Sequence, residues 1–257
     1  MDETYQTYIN RVARLTLEAT YQTQLQNIQK SPKFTGDQPA PFAGYSVITP
    51  PGLEDLENAE FYKHLEKVQH QIINQVEPKI IIPTPLESYH FTVADLIWDG
   101  AYRDAAENNP NFEQQLQDCI RESFQIYQDS AVPSELSQWQ VLGLLIFTRS
   151  LVVGLVPQDE SVYEQIAQLR RSIYQNSGLI ALGIDQQYHF TAHITLGYFG
   201  EIPADLDRDN LASLLSKFND QWIENDPQIL TIKQVELRRF KDMTCFEREP
   251  NYPQLQL

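Results

Sequence analysis

The sequence predicts an α+β fold of two pseudo-symmetric lobes, each a mainly antiparallel sheet backed by helices, around a shared groove. Three observations predict it. A strand, a helix, a short apolar run and a histidine-bearing strand occur twice in the same order. The two helices carry the same apolar stripe, and each copy ends in a His-x-Thr triplet. Elements that recur in this way, strands between long helices, fit two layered units better than one doubly wound sheet.

The first 44 residues read as a helical arm (about Thr4 to Gln29) and a Pro/Gly-punctuated connector, Ser31 to Gly44. Lobe 1 is expected over 45–138. It opens with the β-branched and aromatic run Tyr45 to Thr49, stopped by Pro50-Pro51. Phe61, Leu65, Val68 and Ile72 then recur at i, i+4, i+7 and i+11, which places them on one helical face. The apolar run Ile80 to Ile82 and the segment Tyr89 to Val93 follow.

Lobe 2 is expected over 139–257. Its matching strand is Leu151 to Val156, closed by Pro157, and its helix carries Val162, Ile166, Leu169 and Ile173 at the same spacing. A run from Leu179 to Ile184 and the segment Tyr188 to Phe199 complete the copy. A second helix follows each histidine segment, marked by Phe112, Leu116, Ile120 and Phe124 and by Leu211, Leu215, Phe218 and Trp222. The runs Trp139 to Phe147 and Gln228 to Phe240 read as added strands.

Composition limits the function. With 257 residues and 42% hydrophobic content the chain is long and apolar enough for a large core. Lys and Arg number 19 against 35 Asp and Glu, a net charge of −16, which speaks against a broad basic surface for long nucleic acid or anionic membrane. A small phosphate-bearing substrate held by a few polar groups is compatible with that charge. Val141 to Val156, 16 residues interrupted by Thr148-Arg149-Ser150, is too short to span a bilayer and reads as two buried strands around a turn. The N-terminus lacks an apolar signal segment, and two cysteines, Cys119 and Cys245, make no disulfide framework. A cytoplasmic protein is the expectation.

Three of the five histidines have threonine two positions later: His90/Thr92, His189/Thr191 and His193/Thr195. In a strand, residues i and i+2 share a face about 7 Å apart. From Tyr188 to Leu196 the alternation predicts Tyr188, Phe190, Ala192, Ile194 and Leu196 behind the sheet, with His189, Thr191, His193 and Thr195 in front. A two-fold between lobes would bring one imidazole and one hydroxyl from each side to a common groove. Two imidazoles across a phosphodiester can serve as general base and general acid, with threonine hydroxyls donating to the non-bridging oxygens. His189 and His193 would be about 13 Å apart on a strand, too far to share an ion, so no metal and no cofactor are expected. No GxSxG, Walker or GxGxxG signature is present.

The segments YHFTVADL (from Tyr89) and AHITLGYFG (from Ala192) resemble the twin H-x-T/S motifs of the 2H phosphoesterase superfamily, which includes 2′-5′ RNA ligase-like proteins and cyclic phosphodiesterases. The second segment is the fuller match, and the first departs from the pattern after Val93. With the repeat, the resemblance covers Tyr45 to Phe246 and leaves the arm outside. It implies a bilobal fold and metal-independent hydrolysis, or its reversal, at 2′,3′-cyclic phosphate or 2′-5′ bonds of small nucleotides or RNA ends. It implies His90 and His193 as the catalytic pair and Thr92 and Thr195 as phosphate-holding hydroxyls; His189-Phe-Thr191 also fits the motif and copies His90-Phe-Thr92, and His193 is favoured for its Leu-Gly-Tyr-Phe-Gly continuation. His189, Tyr198 and Arg149 are further candidates for substrate contact. A non-catalytic nucleotide or RNA-end binding module on the same groove is the alternative.

Overall fold

The computed structural model describes residues 3–130, 137–186, 188–223 and 227–257. Residues 131–136, just before the expected lobe boundary at 138/139, lie outside that description. The arm is two helices, α1 (Tyr5–Arg14) and α2 (Glu18–Leu25), where one was expected. The break follows from threonine chemistry: Thr16 Oγ1 donates to the Ala13 carbonyl and Thr20 Oγ1 to that of Arg14, ending the first helix. The arm is part of the core, with Tyr8, Val12, Tyr21 and Leu25 all buried. In the connector, β1 (Phe34–Thr35) and β2 (Gln38–Pro39) form a short hairpin whose turn uses Gly36 at φ +61°.

The body follows as β3 (Gly44–Ile48), α3 (Ala59–Ile73), β4 (Ile81–Pro83), β5 (Thr92–Trp98), α4 (Asp99–Asn108) and α5 (Phe112–Ser130). Next come β6 (Ser137–Ile146), β7 (Ser150–Pro157), α6 (Glu160–Tyr174), α7 (Ser177–Ala181) and β8 (His193–Phe199). The chain ends with α8 (Arg208–Ile223), β9 (Ile229–Ile232), β10 (Gln234–Asp242), β11 (Cys245–Glu247) and β12 (Gln254–Gln256). The stripes expected on α3, α5 and α6 are buried as their spacing requires, and so are Leu211, Leu215 and Phe218 on α8. Val141 to Val156 forms the β6–β7 hairpin, and no helix among the described residues is long and apolar enough to cross a membrane.

Among the described residues the strands other than β1 and β2 form two five-stranded antiparallel sheets. The first runs β11-β10-β3-β5, with β12 also on β10; the second runs β4-β8-β7-β6-β9. This is the predicted α+β architecture. The strands are not shared between the sheets as 45–138 and 139–257 would share them. β4, from the first half of the chain, is the edge strand beside β8, and β10 to β12, from the last quarter, complete the sheet of β3 and β5. The run Gln228 to Phe240 is accordingly two strands: the chain leaves one sheet at β9, passes the exposed Lys233 and enters the other at β10. Hydrogen-bond partners, supplied by distant segments, decide sheet membership, and no local pattern encodes them.

The two copies also differ between helix and histidine strand. Ile80 to Ile82 contributes a strand, whereas Leu179 to Ile184 is the short helix α7 and a turn, its first N–H groups capped by the Asn176 side chain.

Candidate active site

Each histidine sits where the chain enters a strand. His193 is the first residue of β8, and His90 lies two residues before β5. The local geometry is the same at both. His90 Nδ1 donates to the Ser88 carbonyl at 2.7 Å, and His193 Nδ1 donates to the Thr191 carbonyl at 2.7 Å. A carbonyl only accepts, so Nδ1 carries the proton and Nε2 is left to the groove as the titrating nitrogen. Each imidazole also lies against one phenylalanine: Phe246 at 4.3 Å between centroids for His90, Phe147 at 4.9 Å for His193.

The two imidazoles line one cavity of about 880 Å³ between the sheets, together with Thr92 and Thr195. His189, Tyr198 and Arg149 line it as well. Arg149 reaches Gln29 Oε1 from the exposed β6–β7 turn. Tyr198 is buried, its ring against Phe34. Burial lowers both histidines, His90 to about 4, because the charged ring is poorly solvated there. The Asp95 charge acts in the opposite direction on both, and Lys33 adds to the lowering of both. Among the described residues no three His, Cys, Asp or Glu side chains are grouped to hold a metal ion.

Strict alternation misplaces several groove residues, and β-bulges explain why. On β5 the register against β3 slips at Val93 and again at Leu96, so two residues oppose one at each place. The half-buried, groove-lining positions are therefore Thr92, Asp95 and Trp98, three apart instead of two. On β8 the slip against β7 falls at Leu196, and the groove-lining residues are His193, Thr195 and Tyr198. Tyr188, expected behind the sheet, precedes the strand and is exposed at the groove, where its hydroxyl donates to Asp95 Oδ2. Ser46 Oγ donates to Asp95 Oδ1 at 3.3 Å from the adjoining strand.

Sequence reasoning missed Asp95, Tyr188 and Lys33. The acid at position 95 was visible, but period 2 puts it on the wrong face. Lys33 lies in the connector, outside both copies of the repeat, and carries no motif.

No family model matches the sequence, and no curated protein matches it. Similarity is found among solved structures. A conserved protein of unknown function from Agrobacterium tumefaciens str. C58, ATU0111, superposes with a TM-score of 0.59 at 14% identity, covering 89% of this chain and 96% of that one. Kluyveromyces marxianus Usb1 (TM-score 0.47, 10% identity, 83% of this chain and 97% of that one) and E. coli LigT complexed with 3′-AMP (0.41, 12%, 85% and 96%) are looser matches. At these identities the likeness is one of fold.

Proposed function

We propose that this protein is a metal-independent phosphoesterase of the 2H type, acting on 2′,3′-cyclic phosphate or 2′-5′ phosphodiester bonds of small nucleotide-like substrates. The observation that carries the reading is the matched pair of imidazoles. His90, at the entry to β5, and His193, at the start of β8 in the other sheet, line one groove, and each holds Nδ1 on a carbonyl two residues upstream, leaving Nε2 to the substrate. This is the arrangement acid–base catalysis across a phosphodiester needs.

In hydrolysis of a cyclic phosphate, one neutral imidazole takes a proton through Nε2 as the water oxygen bonds to phosphorus. The other, as imidazolium, gives its Nε2 proton to the ring oxygen as that P–O bond breaks. The product is an opened phosphate monoester, and the two imidazoles have exchanged protonation states. Thr92 and Thr195 donate to the non-bridging oxygens, where charge gathers. The bound phosphate favours the imidazolium that burial disfavours, so the acid is charged by its substrate. A groove of about 880 Å³ with aromatic walls has the size of a mononucleotide site. His189 lines the groove and is exposed; in this reading it contacts substrate at most and takes no catalytic step.

The test is incubation with 2′,3′-cyclic nucleotides and 2′-5′ dinucleotides in excess chelator. Turnover abolished by His90→Ala and by His193→Ala, and kept within a few-fold by His189→Ala, is the expected result. Turnover that survives the first two changes overturns the assignment. Binding without turnover identifies a recognition module instead.

A further inference from the structure

Lys33 comes from the connector, yet its ammonium stands in the groove. Lys30, Lys63, Lys233 and Lys241 each meet a carboxylate. Lys33 pairs with none among the described residues. Its Nζ lies 4.8 Å from the Tyr198 ring centroid, 4.9 Å from that of Phe42, and 3.4 Å from the Tyr198 hydroxyl. Aromatic faces attract a cation without cancelling its charge, as a carboxylate would. In a chain with 35 acidic residues, an ammonium held in this way stays available to an incoming anion.

The backbone around it is firmly tied. Lys33 N–H donates to Ser31 Oγ at 3.2 Å, the Lys33 carbonyl accepts from Ala40 N at 2.9 Å, and Ser31 N–H donates to the Phe199 carbonyl of β8 at 2.7 Å. The connector is thus stitched to the strand that carries His193 and Thr195. The Lys33 charge is also felt by His90 and His193 alike, so it lies within electrostatic reach of both imidazoles. Besides each other and Lys33, the charged group acting on both is Asp95, whose carboxylate is engaged by Tyr188 and Ser46.

We propose that Lys33 is a third catalytic group, contacting the substrate phosphate and offsetting the charge that builds on its non-bridging oxygens. This rests on the phosphoesterase reading above. Two threonine hydroxyls are neutral donors, and a phosphodiester brings a full negative charge into a partly desolvated groove. A pre-oriented ammonium there stabilises the transition state without reorganisation. The required substrate is an anionic phosphodiester, and a neutral phosphotriester analogue loses the contact.

The experiment compares wild type with Lys33→Met, Lys33→Arg, His90→Ala and His193→Ala, each checked for folding by thermal melting. Inorganic phosphate is titrated by calorimetry, cyclic-nucleotide turnover is measured in chelator, and both imidazoles are titrated by NMR without ligand. Expected for Lys33→Met are phosphate affinity weakened about 10-fold, kcat/KM lowered about 100-fold, and both imidazole pKa values raised by loss of the neighbouring charge. Lys33→Arg keeps the charge and recovers most of the phosphate affinity. A folded Lys33→Met protein with wild-type phosphate affinity and turnover overturns the proposal, even if both histidine variants are dead. Histidine variants that remain active overturn the two-histidine mechanism alone; weakened phosphate binding by Lys33→Met then still supports Lys33 as the anion-contacting group.

Discussion

Arg11, in a helix outside both copies of the repeat, donates through Nη1 to the Thr191 hydroxyl at 2.9 Å, two residues before His193. The same guanidinium reaches the Phe190 carbonyl and pairs with Glu3. One helical turn earlier, the Tyr8 hydroxyl accepts from Ala192 N–H at 3.1 Å and donates to the Leu155 carbonyl at 2.9 Å. Residues 190 to 192 are therefore held by α1, and Thr191 in turn supplies the carbonyl that orients His193.

Arg11 is accordingly a positioning residue. Arg11→Met is expected to lower kcat about 10-fold with KM little changed, because it loosens the imidazole and removes no phosphate contact. Arg11→Lys does not rescue, since one ammonium cannot reproduce a fork spread over Thr191, Phe190 and Glu3. The His193 Nδ1–H proton, seen by NMR as a protected downfield signal, should broaden in both variants. An unchanged signal with unchanged kcat would contradict the argument.

The pH dependence follows from the lowered imidazoles. On the two-histidine mechanism proposed above, one histidine of the free protein is protonated and the other neutral, so kcat/KM should peak below pH 6.5 and decline above it as the acid loses its proton. Bound phosphate favours imidazolium, so the kcat profile should lie at higher pH than the kcat/KM profile. Asp95→Asn removes a charge that favours the imidazolium at both sites, and should move the alkaline limb of kcat/KM to lower pH. Profiles recorded in one constant-ionic-strength buffer series decide both points.

Acid stability follows from the same burial. His90 is lowered by desolvation from about 6.5 to about 4, so between those values the unfolded chain takes up a proton the folded chain refuses. Its contribution to stability is complete above about pH 6.5 and is lost as pH falls toward 4, about 3 kcal/mol at the limit. His90→Gln, measured by denaturant unfolding at pH 7 and pH 4.5, should lose less stability on acidification than wild type. An equal loss in the two proteins would refute it.

Gly197 tests the packing beneath the site. It is paired to Pro83, and a Cβ there would stand 2.7 Å from the Ile82 carbonyl oxygen and 2.8 Å from Ile81 Cγ2. Backbone cannot yield as a side chain does, so Gly197→Ala should push β4 away from β8 at a cost of about 1–3 kcal/mol. Thermal melting should fall by several degrees, and activity should fall with it because Thr195 and Tyr198 flank the bulge at Leu196.

Much of the scaffold was legible because burial imposes periodicity. The stripes of α3, α5, α6 and α8, the β6–β7 hairpin and the His-x-Thr pairs are all local patterns, and a helix or strand must show its apolar face wherever it packs. The break in the arm was also written locally, in Thr16 and Thr20, although periodicity alone carried the reading past it. Asp95 was different. Alternation puts it behind the sheet, since nothing in Thr92 to Trp98 announces an extra residue in the ladder, and the same rule turns Tyr198 from the groove although its place after the second motif had named it a contact candidate.

The sequence by itself determined the repeated order of elements, the apolar faces and the chemical types available to the groove: imidazole, hydroxyl, aromatic ring and few cations. Tertiary structure alone decided that β4 and β10 to β12 cross to the sheet of the other half, that bulges turn Asp95 and Tyr198 inward, and that α1 and the connector bring Arg11 and Lys33 to the histidines. The physical reason is range. Periodicity is set by a residue's own backbone geometry, whereas strand pairing, bulge position and the approach of a distant side chain depend on partners tens to hundreds of residues away.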